Sequence, residues 1–359
     1  MKDPLMDVLN GEDWRHLGEG SAEQVVTPAS SRVHRAKNGS SSAQKEQPCS
    51  PSDERRRAQD IVAAAKEAVA TTFQEARFGR RINVAALEPI VDAIAGSIAR
   101  SPLALPSVVR LKDRHEYTYL HSIAVCGMMI GLAQELDLDP CLIRRLGLAG
   151  LMHDVGKARV PLSVLDKPGP LDLEEYALIH RHTTRGHEIL VDAGIDCAIT
   201  LDVCLNHHER LDGRGYPAGL SSASISVYAR MAAVCDVYDA TTSARSYKAG
   251  WSPGEALEWM MAAEGHFDPR VLRAFRRMIG IFPLGSLVRL ASDRLAVVLS
   301  DDAGSATPKV GAFLCAISRK GLTPCAVDTV HDPIVSLELP GRWGLTDWAL
   351  QRDHIMSAF

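Results

Sequence analysis

The spacing of apolar residues predicts a chain made mostly of α-helices. Apolar side chains recur every three to four positions with charged or polar side chains between them, which is typical of helices with one buried face. Local signals mark several helix starts, among them Asp172 with Glu175 three residues later, which form a capping box. The predicted helices cover residues 53–77, 84–99, 116–136, 140–153, 172–193, 199–208 and 224–244, with a short one after Pro161 and two more that begin at Ser252-Pro253 and Asp268-Pro269.

The two ends of the chain have a different pattern. Residues 287–290 and 295–299 are short apolar runs on either side of a polar turn, and residues 312–317 and 326–330 resemble them. A small β-rich appendage is therefore predicted over residues 283–359. Residues 1–52 are poor in apolar residues and, towards their end, rich in Ser, Gly and Pro. Such a segment buries too little surface to fold, so it is predicted to be a disordered leader.

Composition narrows the class of protein. The 359 residues are 46% hydrophobic, which suits one large or two modest globular domains. A formal net charge of −4 gives no sign of binding to a nucleic-acid polymer, and the most apolar window, residues 119–136, is too polar to span a membrane. The eight cysteines are scattered without a CxxC pair, which favours free thiols in a reducing compartment. A cytoplasmic protein is predicted.

Metal-binding side chains are concentrated in the middle of the chain. His153 and Asp154 end an apolar run, point about 100° apart on a helix, and have Lys157 one turn further on, where it could hold an anion. A lone His-Asp pair is usually a surface or capping pair. Here, however, a larger set can converge in a helical bundle and hold two metal ions about 3.5–4 Å apart, an arrangement that supports displacement at phosphorus. The set is His121, His153, Asp154, His182, His207, His208 and Asp236.

The ordered motifs around these residues resemble the HD-GYP family, the metal-dependent branch of the HD phosphohydrolases that hydrolyses cyclic di-GMP. His153-Asp154 with Gly156-Lys157 begins the series, and His182, His207-His208-Glu209 and Gly215-Tyr216-Pro217 follow. Asp236 to Ala240 and Arg245-Ser246-Tyr247-Lys248 complete it. The resemblance covers residues 110–282. It implies an HD-superfamily helical bundle there, preceded by a helical segment over residues 53–109.

The resemblance also implies roles for individual residues. All seven residues of the set would be metal ligands, and Asp154 would bridge two divalent ions, with Fe or Mn favoured. A bridging hydroxide would attack phosphorus, giving pGpG and in some members GMP. Lys157 would neutralise the phosphate, and Arg245 and Lys248 would bind it. Tyr117 stands where members with three metals carry Glu, which favours two ions here.

Other interpretations stay open. The chain could be a non-catalytic cyclic di-GMP sensor or docking domain, or an HD phosphohydrolase for another cyclic nucleotide. The Gly215-Tyr216-Pro217 loop is either a plain turn or, by resemblance, a contact for a signalling partner, and a homodimer is not excluded. His180 and His187 are interpreted as surface or supporting residues. Asp239, one turn after Asp236, could orient a ligand or be purely structural.

Overall fold

The computed structural model describes residues 51–100, 117–167, 169–243, 251–280, 282–300 and 307–359. This part of the chain is mainly helical and ends in a small antiparallel sheet, so the predicted fold class is confirmed. Most of the predicted leader lies outside the described residues, and its last two positions, Pro51 and Ser52, already belong to the first helix. None of the described helices is both long enough and apolar enough to cross a lipid bilayer.

The helices are numbered in chain order. They are α1 (Pro51–Arg77), α2 (Glu88–Arg100), α3 (Tyr117–Glu135), α4 (Pro140–Met152), α5 (Leu162–Leu165), α6 (Leu173–His180), α7 (His182–Asp192), α8 (Ala198–Asn206), α9 (Val227–Thr242), α10 (Pro253–Ala262), α11 (Pro269–Ile279) and α12 (Trp348–Ser357). Short 3₁₀ helices cover Val84–Leu87, Val155–Arg159, Ser222–Ser224 and Pro340–Trp343.

Side-chain caps fix several helix starts where the sequence predicts them. Asp172 accepts hydrogen bonds from the backbone of Glu174 and Glu175, and Glu175 accepts one in return from the backbone of Asp172. Ser252 and Glu255 form a second capping box at the start of α10. These caps satisfy backbone N–H groups that have no partner inside the helix.

One predicted helix is wrong. The single helix expected over residues 172–193 is two helices, α6 and α7, which are separated at Arg181. Directly after this break, the buried His182 ring donates a hydrogen bond from Nδ1 to the carbonyl of Ile179 at 2.7 Å, and its Nε2 lies 3.3 Å from Nε2 of His207.

Helix α3 lies at the centre of the helical part because two apolar clusters share it. Val125, Met129 and Leu132 pack into a cluster with α9, α10 and α11, whereas Ile123 and Ile130 pack into a second cluster with α1 and α2. Burial on both sides explains why α3 is apolar around most of its circumference. A polar residue on this helix is consequently held deep inside the protein.

The described part of the C-terminal sheet contains five antiparallel strands. They are β1 (Leu287–Leu290), β2 (Arg294–Ser300), β3 (Lys309–Cys315), β4 (Gly321–Asp328) and β5 (Ile334–Leu337). Their order across the sheet is β4-β3-β2-β1-β5. Alternating side chains of β1, β2 and β3 are buried on both faces, and α12 covers one face through Trp348 and Ile355. The prediction missed β5 and α12, and it placed the start of β4 five residues too late.

Candidate metal centre

The helical bundle brings together all seven residues that the sequence nominates as metal ligands. Their ligand atoms fall into two groups, and within each group the atoms lie within 4.8 Å of one another. Every member is buried except His208, which is partly exposed. The first group is Asp154, His182, His207 and His208, and the second group is His121, His153 and Asp236.

Five helices supply these side chains. His121 lies on α3 and Asp236 on α9, while the other residues lie at helix ends. His153 and Asp154 follow α4, His182 begins α7, and His207 and His208 follow α8. Because helix ends allow the chain to change direction, side chains from separate helices can converge on one point there.

Asp154 lies between the two groups and faces both. Its Oδ1 is 3.3 Å from Nε2 of His182, whereas its Oδ2 is 3.4 Å from Nε2 of His153 and 3.6 Å from Nε2 of His121. One carboxylate oxygen is therefore available to each group, which is the arrangement expected of a carboxylate shared by two metal ions.

The protonation pattern of the rings leaves Nε2 facing the centre. A carbonyl or carboxylate oxygen can only accept a hydrogen bond, so a ring nitrogen next to one must carry the proton. These bonds run from Nδ1 of His121 to Asp239 (2.7 Å), of His153 to Gly150 (2.7 Å), of His182 to Ile179 (2.7 Å) and of His207 to Val203 (2.9 Å). Such bonds fix the orientation of histidines that bind metals.

One close contact and two buried atoms without partners show that the centre fits a cation. Nε2 of His182 and Nε2 of His207 are 3.3 Å apart, and with both Nδ1 atoms protonated, two lone pairs would face each other unless a cation lies between them. Nε2 of His153 and Oδ1 of Asp154 are buried, and neither has a hydrogen-bond partner among the described residues. Buried polar atoms without partners are costly, and metal coordination would satisfy them.

Electrostatics favour the ligand forms of most of these residues at neutral pH. Burial lowers the pKa of His182 to about 4 and of His207 to about 3, and it holds the pKa of His208 well below its usual range. For Asp154, burial acts in the opposite direction, but the charge of Lys157 and the neighbouring His153 hold its pKa well below the usual value. Neutral imidazoles and ionised carboxylates are the forms that bind metals.

His121 differs from the other rings because it lies between two carboxylates. Its Nδ1 is 2.7 Å from Asp239 and its Nε2 is 2.9 Å from Asp236. Burial alone would lower its pKa, but the hydrogen bonds to these two aspartates raise it. The contact with His121 thus favours the orienting role for Asp239 over a purely structural one.

The predicted phosphate-binding residues are only partly described. Lys157 lies at the rim, one quarter exposed, with Nζ 2.5 Å from Oδ2 of Asp154. Arg245 and Lys248 lie outside the described residues, as does the side chain of Tyr117, on which the expectation of two rather than three ions depends.

His180 was interpreted as a surface or supporting residue, and its contacts agree with the supporting role. Its ring stacks on Tyr216 at 3.7 Å, and Tyr216 stacks in turn on His208 at 4.5 Å. No spacing rule places Tyr216 against a histidine eight residues earlier. The Gly and Pro on either side of Tyr216 signal a turn, which is the only local indication that the chain folds back there.

The loop after His208 is ordered by Glu209. The Glu209 carboxylate accepts hydrogen bonds from the backbone N–H groups of Ala218 (2.7 Å), Gly219 (3.1 Å) and Leu220 (2.9 Å). Asp212 pairs with Arg210 at 2.7 Å.

The seven cysteines among the described residues are free. Cys126 and Cys235 lie near the centre in sequence, but they are fully buried packing residues outside both ligand groups.

Comparison with known proteins identifies the family. The HD domain family matches residues 105–271. A cyclic di-GMP phosphodiesterase of Pseudomonas aeruginosa is 48% identical over 296 residues, which are 81% of this chain and 72% of that protein. The chain belongs to the HD-GYP family. A 3′3′-cGAMP-specific phosphodiesterase of Vibrio cholerae is another relative, 39% identical over 44% of this chain and 36% of its own length.

A comparison with solved structures supports the fold of this HD-GYP protein. An HDG"Y"P protein from Bdellovibrio bacteriovorus superposes with a TM-score of 0.52 at 22% identity, covering 64% of this chain and 73% of that one. At this identity the likeness concerns the fold alone. It agrees with the helical bundle that carries the two ligand groups.

Proposed function

We propose that this HD-GYP protein is a phosphodiesterase that hydrolyses cyclic di-GMP to pGpG, with GMP as a further product. The observation that carries the proposal is the shared position of Asp154 between two buried groups of His and Asp ligands. Such a centre suits hydrolysis of a phosphodiester. The substrate is supported by the name of the Pseudomonas aeruginosa relative, whose similarity extends over most of this chain.

The seven ligands would hold two divalent cations, which we propose to be Fe or Mn because imidazole and carboxylate donors suit these ions. Cations held there would lower the pKa of water towards neutrality and offset the negative charge of the phosphate. Asp154 would supply one oxygen to each cation. The surrounding apolar clusters exclude bulk water from the centre, which strengthens the attraction between the ligands and a cation.

Lys157 is the described residue best placed to bind the substrate phosphate. Its Nζ is at the partly exposed rim, and its present partner, Asp154, would be occupied by cations in the loaded enzyme. The ammonium group would then be available to donate to a phosphate oxygen as a point charge. By their sequence positions, Arg245 and Lys248 are proposed to hold the same phosphate.

The test is a product assay. Protein loaded anaerobically with Fe²⁺ or Mn²⁺ is incubated with cyclic di-GMP, and the products are separated by chromatography. Wild type should form pGpG or GMP, and the variant with both His153→Ala and Asp154→Ala should form neither. His331→Ala, which changes a histidine that is 85% exposed, is the matched control and should keep full activity. Intact substrate in the presence of metal-loaded wild type would refute the proposal and favour a sensor or docking role.

A second candidate substrate is 3′3′-cGAMP, which the name of the Vibrio cholerae relative supports. The two dinucleotides differ in one base, so the metal centre would treat their phosphates alike. Equal amounts of both substrates in one reaction would distinguish them. We expect faster loss of cyclic di-GMP, and faster loss of 3′3′-cGAMP would transfer the assignment to that substrate.

We further propose a cytoplasmic location, which the free cysteines support. A signalling partner could contact the exposed edge of the loop at Arg214 and Pro217. Pull-down of a candidate partner by wild type and by Pro217→Ala would test this contact, and equal recovery would argue against it. A homodimer is also left open by the sequence, and sedimentation measurements of the molecular mass in solution would test it.

A further inference from the structure

Three aromatic rings form a stack that ends on a predicted metal ligand, and a fourth ring lies against its outer end. His180 and Tyr216 are 3.7 Å apart and almost parallel at 11°, Tyr216 and His208 are 4.5 Å apart at 23°, and Tyr176 is 4.0 Å from His180 but tilted by 53°. Distances are between ring centroids. Both faces of Tyr216 are therefore covered, one by His180 and the other by His208.

The backbone holds Tyr216 in this place. The N–H group of Tyr216 donates a hydrogen bond to the carbonyl of His208 at 3.1 Å. A Cβ atom on Gly215 would lie 2.4 Å from the nitrogen of Arg210 and 2.5 Å from the carbonyl oxygen of His208. Only glycine permits the loop to approach the His208–Arg210 backbone so closely, so the loop and the ligand segment behave as one unit.

Among the described residues, the His208 ring has no hydrogen bond of the kind that orients the other histidine ligands. Nδ1 of each of the other four rings donates to a carbonyl or carboxylate oxygen at 2.7–2.9 Å. In the part of the chain that the structure describes, the carboxylate contact of the His208 ring runs from Nδ1 to Oδ2 of Asp236 at 3.9 Å, which is too long for a hydrogen bond. The ring of His208 is also the only partly exposed member of the two described ligand groups.

We propose that Tyr216 is a positioning residue for the metal ligand His208, with His180 supporting the opposite face of the Tyr216 ring. This inference rests on the metal centre of the proposed function. The stacked ring does for His208 what a hydrogen bond at Nδ1 does for the other histidines, because it fixes the plane of the imidazole and thereby the direction of its lone pair. The aromatic face, rather than the tyrosine hydroxyl, performs this role.

The test is Mn²⁺ binding to the metal-free full chain, measured by isothermal titration calorimetry. Tyr216→Leu should weaken the binding of one Mn²⁺ about tenfold, the lower end of the range for residues that orient metal ligands. Tyr216→Phe keeps the ring and should bind as wild type does. Tyr228→Leu alters a half-buried tyrosine outside the stack and is the matched control, so it should also bind as wild type does.

A second variant protects the test against misfolding. His180→Ala removes only the outer support of Tyr216 and should weaken the same Mn²⁺ by a smaller factor, with an unchanged melting temperature of the metal-free protein. Wild-type affinity in both Tyr216→Leu and His180→Ala would overturn the proposal, as would equal weakening by Tyr216→Leu and Tyr228→Leu. A wild-type protein that binds no Mn²⁺ would refute the metal centre and this inference together. Normal Mn²⁺ binding without phosphodiesterase activity would refute only the proposed reaction.

Discussion

Asp239 illustrates how a single residue outside the ligand set can control the centre. Its carboxylate accepts a hydrogen bond from Nδ1 of His121 at 2.7 Å, which directs Nε2 towards Asp236 and Asp154. Asp239→Asn removes the charge that supports this orientation. We expect Mn²⁺ affinity at the second group to fall by about 10-fold or more, measured by calorimetric titration.

The control for Asp239→Asn is Asp92→Asn, which changes an exposed aspartate paired with Arg144 on the surface. This variant should bind Mn²⁺ as wild type does. If Asp239→Asn also retained wild-type affinity, the contact between Asp239 and His121 would be structural only.

His266 predicts a dependence of stability on pH that is separate from the metal centre. Burial lowers the pKa of its imidazole to about 3, compared with 6.5 in the unfolded chain. The unfolded state therefore takes up a proton at a higher pH than the folded state does, so stability falls as the pH decreases below about 6.5. Between pH 7.5 and pH 5.5, wild type should lose about 1.4 kcal/mol more than His266→Gln does.

Urea unfolding of the metal-free proteins at the two pH values measures this difference. Comparison at pH 7.5 isolates the packing cost of the substitution, because the imidazole is neutral in both states there. The same pH dependence in wild type and His266→Gln would show that this ring does not contribute to acid sensitivity.

Among the elements, the 3₁₀ helix Val155–Arg159 and α7 must pack unusually closely to form the centre. A Cβ atom on Gly156 would lie 1.8 Å from the carbonyl oxygen of His182 and 2.5 Å from the nitrogen of Gly186. Both are backbone atoms, so no side-chain rotation relieves the clash. Gly156→Ala must separate Asp154 from His182, and we expect it to destabilise the protein by about 3 kcal/mol or more and to weaken Mn²⁺ binding.

Gly321→Ala is the matched control for Gly156→Ala. A Cβ atom there would meet nothing within 4 Å, and the position needs no positive φ angle. Its stability should stay within about 0.5 kcal/mol of wild type in urea unfolding. Wild-type stability of Gly156→Ala would show that the two elements can move apart without harm.

The elements also show what sequence can and cannot predict. The starts of α6, α10 and α11 were predictable because Asp172, Ser252 and Asp268 cap them through contacts within three residues. The break at Arg181 has no Gly or Pro within three residues to signal it. Strand β5 has an exposed or half-exposed side chain at every position and is defined by its pairing with β1, some 45 residues earlier in the chain, so its local pattern is weak.

The candidate centre also combines features that the sequence predicts with features that depend on tertiary structure. Residue types, motif order and the resemblance to the HD-GYP family nominated all seven members of the two groups, because residue types and their order are visible in the sequence. The way that Asp154 directs one oxygen to each group, and the stack of Tyr216 on His208, depend on distances between separate helices. Such distances arise only when the apolar clusters around α3 are packed.

For the whole molecule, metal binding and folding should be linked mainly in the helical part. The ligands come from α3, α4, α7, α8 and α9 and their ends, whereas β1 to β5 supply none of the described ligand groups. A cation that binds only the folded state, at a concentration 100 times its Kd, adds about 2.7 kcal/mol to the free energy of unfolding. Some amides exchange only when the unit that binds the cation opens. For these amides, the added free energy corresponds to an approximately 100-fold slower exchange.

Hydrogen–deuterium exchange with and without Mn²⁺ therefore tests the proposed boundary near residue 283. We expect Mn²⁺ to slow the most protected amides of α3, α4 and α9 by about 100-fold at that concentration, while amides of β2 and β3 exchange at an unchanged rate. The variant with both His153→Ala and Asp154→Ala is the control and should show no slowing anywhere. Equal slowing in the helices and in β2 and β3 would mean that the sheet unfolds with the bundle as one cooperative unit, and the boundary would then separate two architectures but not two independently stable domains.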